Sequence, residues 1–151
     1  MILIIGVAVV SMLQAPPPTV VFVCEHGTVK SVVAMAWFNK LAAERGLTLR
    51  AISRGTAPDP AVPGPVLEGL RGDSLTLGAF TPLLFTPADV RSAVAVISFD
   101  QPGVAATVAG KAPVTAWDSL PAVSEDYGKA SAAIRRRVAR IVDSLAAARK
   151  P

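Results

Sequence analysis

Val20-Val21-Phe22-Val23-Cys24-Glu25-His26-Gly27-Thr28-Val29-Lys30-Ser31 is the stretch from which the rest of this chain is read. Its first four residues form a continuous β-branched and aromatic run, the composition of a strand buried on both faces. The run ends directly at Cys24. From Ser31 to Arg45, residues Ala34, Met35, Phe38, Leu41 and Ala42 recur at helical spacing, and Gly46 supplies a stop. The quoted stretch is therefore the turn of a βα unit, and in a parallel sheet a ligand site forms where a strand's carboxyl end turns into a helix. Successive backbone N–H groups running into a helix N-terminus make a concave site for phosphate, sulfate or arsenate. The same donors stabilise a thiolate at the head of the loop, which makes Cys24 a candidate nucleophile. Glu25, His26, Thr28 and Val29 carry the loop, and Gly27 lets its backbone take a positive φ or approach the anion closely. Lys30 adds a positive charge at the helix start, and the Ser31 hydroxyl is placed to donate to the sulfur.

Outward from this unit the pattern alternates. Leu47 to Ser53 reads as a second strand, followed by a Pro-rich stretch through Pro65 and a short helix from Val66 to Arg71. Ala93 to Phe99 is a third, fully apolar strand, and Val114 to Trp117 a short fourth. The last element, Ser124 to Arg149, is a helix with Ser124 as its cap, Glu125 and Asp126 at its positive end, and Ile134, Val138, Ile141 and Leu145 as its buried stripe. Strands alternating with helices imply an α/β fold: a parallel sheet with helices on both faces, three layers in all.

With 151 residues the chain has room for one ordinary domain, read here as Thr19 to Pro151. Met1 to Ala15 carries no charged side chain, and Ile2 to Leu13 is almost entirely apolar. That run is shorter than the roughly 20 residues a membrane helix needs. It fits the apolar region of a secretory signal, with Leu13-Gln14-Ala15 as a cleavage site and Pro16-Pro17-Pro18 as the stop. The expectation is an exported protein, periplasmic or secreted, with a cytoplasmic one as the alternative. A formal charge of +4 favours anionic ligands without naming one. Nucleic acid is disfavoured, because two Trp, one Tyr and five Phe offer little stacking surface and the basic residues gather near the C-terminus. Among them, Arg135, Arg136, Arg137 and Arg140 read as a solvated surface. A single cysteine rules out an intrachain disulfide and a multi-thiol metal site, so Cys24 acts alone or not at all. No metal or cofactor is expected.

A cysteine after a buried strand, a basic residue six positions on and a serine seven on resemble the loop of the low-molecular-weight protein tyrosine phosphatases and the related arsenate reductases. Ser53-Arg54-Gly55-Thr56 is similar to the Ser-Ala-Gly-Thr that follows their second strand, and Ala93-Val94-Ala95-Val96-Ile97-Ser98 to their third strand. The resemblance implies a flavodoxin-like sheet order of 2-1-3-4 and hydrolysis of a phosphomonoester through a phosphocysteine on Cys24. By the same resemblance the loop amides and Lys30 would hold the oxyanion, and an aspartic acid would protonate the leaving oxygen.

The sequence departs from that family at three points. The loop arginine is Lys30 here, a point charge in place of a planar bidentate donor. Arg54 stands where the family has a small residue and is a candidate to restore a planar donor. His26 and Gly27 replace Gly and Asn, and a histidine so near the nucleophile either stabilises the thiolate or faces solvent. The family's Asp-Pro acid is missing, since Asp59-Pro60 falls after the second strand and reads as turn chemistry. Asp118, directly after the fourth strand, is the first candidate for the acid, and Asp126 the second. The partners implied are a phosphorylated protein or small phosphoester. The alternatives are arsenate reduction with an external thiol as reductant, because no second cysteine exists, and a noncatalytic oxyanion-binding module.

Overall fold

The computed structural model describes residues 15–149. The expected leader lies, apart from its last four residues, outside them. From Thr19 the chain runs β1 (Thr19–Cys24), α1 (Lys30–Glu44), β2 (Arg50–Gly55), α2 (Gly64–Gly72), α3 (Pro87–Val90), β3 (Ala93–Ser98), α4 (Val104–Val108), β4 (Val114–Ala116) and α5 (Tyr127–Ala147). All strand pairs are parallel and the order across the sheet is β2-β1-β3-β4, as expected.

The pleat of β1 divides the core. Val20, Phe22 and Cys24 face one side, where they pack with residues of α1, α2 and α5 such as Phe38, Leu70 and Ile134. Val21 and Val23 face the other side, against Phe85, Val90, Val104 and Val108. Every one of these strand residues is buried, which explains why β1 reads as an unbroken apolar run rather than an alternating one. Phe22 anchors the thicker side, with ring centroids 6.2 Å from Phe38, 6.3 Å from Phe99 and 5.9 Å from Trp117. Burying a side chain of this size contributes roughly 1.5–3 kcal/mol.

The structure moves several expected boundaries, each for a local reason. The second strand begins at Arg50, not Leu47, because the end of α1 takes Leu47: the Gly46 N–H donates to the Ala43 carbonyl at 3.0 Å and the Leu47 N–H to Ala42 at 2.9 Å. This is a helix stop with Gly46 at φ +66°. The last helix is capped by Asp126, whose Oδ1 accepts from the Lys129 N–H at 2.9 Å. Ser124 lies in the turn before it. The two short helices of the thinner layer, α3 and α4, are not legible as periodic segments because one turn carries too little pattern. Nor is the arginine cluster wholly solvated: the Arg135 guanidinium lies 4.7 Å from the centre of the Trp37 ring, and that of Arg137 lies 5.7 Å from Trp117. The Trp37 indole N–H donates to Ser131 Oγ, and both Ser131 and the Tyr127 hydroxyl donate to Asp73, tying α1 and α5 to the end of α2. Burial above all, reinforced by Asp73 and partly offset by Ser131, holds the Tyr127 hydroxyl protonated well beyond its ordinary range. No described helix is long and apolar enough to cross a membrane.

Candidate active site

Parallel register brings the carboxyl ends of all four strands to one edge: Cys24 beside Gly55, Val23 beside Ser98, and Ser98 beside Ala116. The loops that leave these ends surround a cleft of about 380 Å³ lined by Cys24, Glu25, His26, Val29 and Lys30, by Phe99, Asp100 and Gln101, and by Ala122 to Ser124.

Cys24 is the last residue of β1 and is buried, its pleat direction carrying the side chain toward α1. There Sγ lies 2.9 Å from Ser31 Oγ and accepts from the Gly27 N–H at 3.3 Å. Ser53 Oγ stands 2.7 Å from Ser31 Oγ and 3.0 Å from the Gly27 carbonyl. Counting protons shows what this chain of contacts permits. With the thiol protonated, each group donates to the next, from Cys24 to Ser31 to Ser53 to the Gly27 carbonyl. With the thiolate, Ser31 turns its proton to the sulfur and joins Gly27 N–H as a second donor, while Ser53 shares its proton between Ser31 and the carbonyl. Both forms of the sulfur are accommodated by rotating hydroxyls.

The N-terminus of α1 opens onto the same loop, where Val29 occupies the cap position and no side chain caps the helix. Its first N–H groups have no partner within the helix. The loop takes its shape from the segment after β2. Gly27 has φ +66°, and a Cβ added there would lie 2.7 Å from the Gly55 nitrogen. A Cβ on Gly55 would in turn meet the Glu25 carbonyl, the Gly27 nitrogen and the His26 carbonyl carbon, all at 2.9 Å. Two glycines thus let two backbones touch. Beyond them Thr56 N–H donates to the Cys24 carbonyl, Ala57 N–H to Glu25 and Asp59 N–H to His26, at 3.1, 2.8 and 3.0 Å. The Asp59 carboxylate adds the His26 ring, Nδ1 at 3.2 Å, and the hydroxyl of buried Thr28, also at 3.2 Å.

Asp59 is therefore a positioning residue for the loop as well as a turn former. Strand-end placement together with its Asp-Pro turn was the only hint of this in the sequence. His26 is half exposed, with Nδ1 on Asp59 and Nε2 3.7 Å from Glu25.

Lys30 lines the cleft, but its Nζ is bonded to Asp100 Oδ2 at 2.9 Å. Asp100, directly after β3 and Phe99, is a site residue that the sequence reading missed; the rule that ligands gather at strand carboxyl ends applies to it as much as to Cys24. Asp118 is exposed at the rim, and its Oδ1 accepts from the Asp100 N–H at 3.2 Å. Asp126 is spent on capping α5. Arg54 does not reach the loop. The pleat that turns Ser53 toward Ser31 turns Arg54 to the opposite face, where Nε donates to Asp89 Oδ1 at 2.8 Å and a second nitrogen to the Ser53 carbonyl at 2.9 Å. Among the described residues no cluster of three or more His, Cys, Asp or Glu could hold a metal ion.

This sheet order, with a cysteine loop between the first strand and first helix, is the fold of the low-molecular-weight protein tyrosine phosphatases and the arsenate reductases that share it. Solved structures similar to the chain come from both groups. YfkJ from Bacillus subtilis superposes with a TM-score of 0.79 at 16% identity, over 91% of this chain and 99% of its own. A low-molecular-weight protein tyrosine phosphatase from Bacillus subtilis gives 0.73 at 18%, over 87% and 99%. An arsenate reductase from Archaeoglobus fulgidus gives 0.63 at 25%, over 82% and 98%. No protein-family model and no curated protein matches the sequence.

Proposed function

We propose that this protein hydrolyses phosphomonoesters through a phosphocysteine on Cys24. The observation that carries the reading is the position of the Cys24 sulfur at the end of β1, between Ser31 Oγ and Gly27 N–H, at the mouth of an uncapped helix N-terminus. A nucleophile so placed is aligned with an anion seated on the loop amides, whose fixed dipoles stabilise charge as it develops on the equatorial oxygens. Lys30 is the neighbouring cation, and it is shared with Asp100. A bound phosphate competes for it, so oxyanion binding carries the cost of breaking an ion pair. An arginine at this position has donors enough for both, which predicts that Lys30→Arg raises turnover.

The second reading, arsenate reduction, is supported by the likeness to a solved arsenate reductase at 25% identity; because the sequence has a single cysteine, an external thiol must then complete the cycle. Hydrolysis of an aryl phosphate by the full chain, lost in Cys24→Ser, supports the phosphatase. Arsenate reduction driven by small thiols without ester hydrolysis replaces it with the reductase, and anion binding with neither leaves a binding module. The apolar leader makes export part of the proposal, tested by sequencing the N-terminus of the protein recovered from outside the cytoplasm.

A further inference from the structure

We propose that Asp100 is the proton donor to the leaving group, in place of an aspartate in the loop before the last helix; this rests on the phosphatase reading above. A phosphomonoester with a poorly acidic alcohol or phenol needs a proton on its departing oxygen, and the group that supplies it must face the cleft within reach of that oxygen. In the segment before α5 the residues that line the cleft are Ala122, Val123 and Ser124, none of them an acid.

The other carboxylates around the site are committed elsewhere. Asp118 holds the Asp100 N–H, Asp126 caps α5, Asp59 holds His26 and Thr28, and Asp89 holds Arg54. Among the described residues, Glu25 and Asp100 are the acids that line the cleft. Glu25 lies within the loop itself, and its side chain is 62% exposed against 48% for Asp100. Asp100 enters the cleft from the separate loop after β3, with its carboxylate 2.9 Å from the cation that neighbours the oxyanion site. Its backbone is fixed in an uncommon shape, φ +54°, by buried Phe99 before it, by Asp118 on its N–H and by the Gln101 amide, which donates to its carbonyl at 3.0 Å. Aspartate is among the few non-glycine residues that take this conformation readily.

The ion pair links binding to proton transfer. A phosphoryl dianion that draws Lys30 toward itself releases the Asp100 carboxyl from its ion pair and leaves it free to turn to the departing oxygen. In the first step the sulfur's electron pair forms the S–P bond, the P–O bond breaks, and the Asp100 proton passes to the departing oxygen. In the second, the Asp100 carboxylate takes a proton from water as the water oxygen bonds to phosphorus and the P–S bond breaks. Inorganic phosphate leaves, and the thiolate and the protonated carboxyl are restored.

The test is kcat/KM of the full chain on a series of phosphate esters, from para-nitrophenyl phosphate, whose phenolate leaves unaided, to phenyl and alkyl phosphates, whose oxygens need the proton. Asparagine tolerates positive φ, so Asp100→Asn preserves the backbone. The expected result is a loss of about 10²-fold or more on phenyl phosphate, with a loss under about tenfold on the nitrophenyl ester, while Asp118→Asn and Glu25→Gln lower all esters evenly. An even loss across the series in Asp100→Asn overturns the proposal, as does a leaving-group dependence that appears in Asp118→Asn or Glu25→Gln instead. A wild-type protein that hydrolyses no ester in the series overturns the phosphatase reading itself, and that failure is seen before any variant is made.

Discussion

Beneath the cleft, Gly27 and Ser31 bond to Cys24, and Ser53 bonds in turn to Ser31 and the Gly27 carbonyl; around its rim, Lys30 pairs with Asp100 by charge and Asp118 accepts from the Asp100 N–H. The floor is buried, neutral and closed: Ser31 and Ser53 are wholly inaccessible, and each polar atom is satisfied by a neighbour that also shapes the loop. The rim is charged, with Asp100 and Asp118 exposed and Lys30 half-buried between them and the loop, and its members are held by contacts that open to solvent. Floor contacts act as a fixed template, since a buried group that loses its partner has no water to replace it. Rim contacts are exchangeable, because solvent and a phosphate compete for them on similar terms. The site thus keeps its geometry in one network and its adjustable charge in the other.

That division is most severely tested at the tightest point of the floor. Gly27→Ala puts a Cβ against Gly55 and holds alanine at a positive φ, so strain and overpacking together are expected to cost about 4 kcal/mol. Chemical denaturation should show that loss, and turnover should fall with it. A mildly destabilised, fully active variant would mean that the two backbones part without harm and the loop is no template.

Arg54→Ala removes one partner of an ion pair whose side chains are only 17% and 11% exposed, and is expected to cost about 3 kcal/mol. It should leave KM for an aryl phosphate unchanged, since the guanidinium lies on the far face of the sheet. A rise in KM without loss of stability would return Arg54 to the site. Ser53→Ala strands the Gly27 carbonyl and removes one hydroxyl of the relay, at about 2 kcal/mol. Its mark should be a larger fall in kcat than Lys30→Ala causes at saturating substrate, whereas Lys30→Ala should mainly raise KM. The reverse ranking would erase the contrast between template and exchangeable charge. Smallest of all, Asp126→Ala should lower stability by about 1 kcal/mol, the worth of an N-cap, with kcat/KM unaffected on every ester. A leaving-group-dependent loss in that variant would make the cap residue an acid.

Much of the fold was legible along the chain. The apolar run of β1, the helical spacing of α1 and the final amphipathic helix each carry their own periodicity, and strand-helix alternation dictates a parallel sheet. The loop was legible too, because Cys24 to Ser31 are contiguous and the chemistry of their residue types follows from a strand turning into a helix. The helices α3 and α4 escaped notice because four or five residues hold too little pattern, and the cap of α5 was misplaced by two residues where Ser124 and Asp126 are both good caps.

The partners of the loop were not legible in the same way. Ser53 lies 22 residues from Ser31, Asp59 lies 33 from His26, and Asp100 lies 70 from Lys30. By itself the sequence determined that a lone cysteine heads the turn between a buried strand and a helix in a parallel α/β sheet, because composition and spacing are local properties. Only the tertiary structure decided that Arg54 faces away, that Asp118 holds a backbone, and that Asp100 claims the lysine. Those assignments depend on which side of the pleat a residue occupies and which strand ends share an edge, and they arise only once the sheet is assembled.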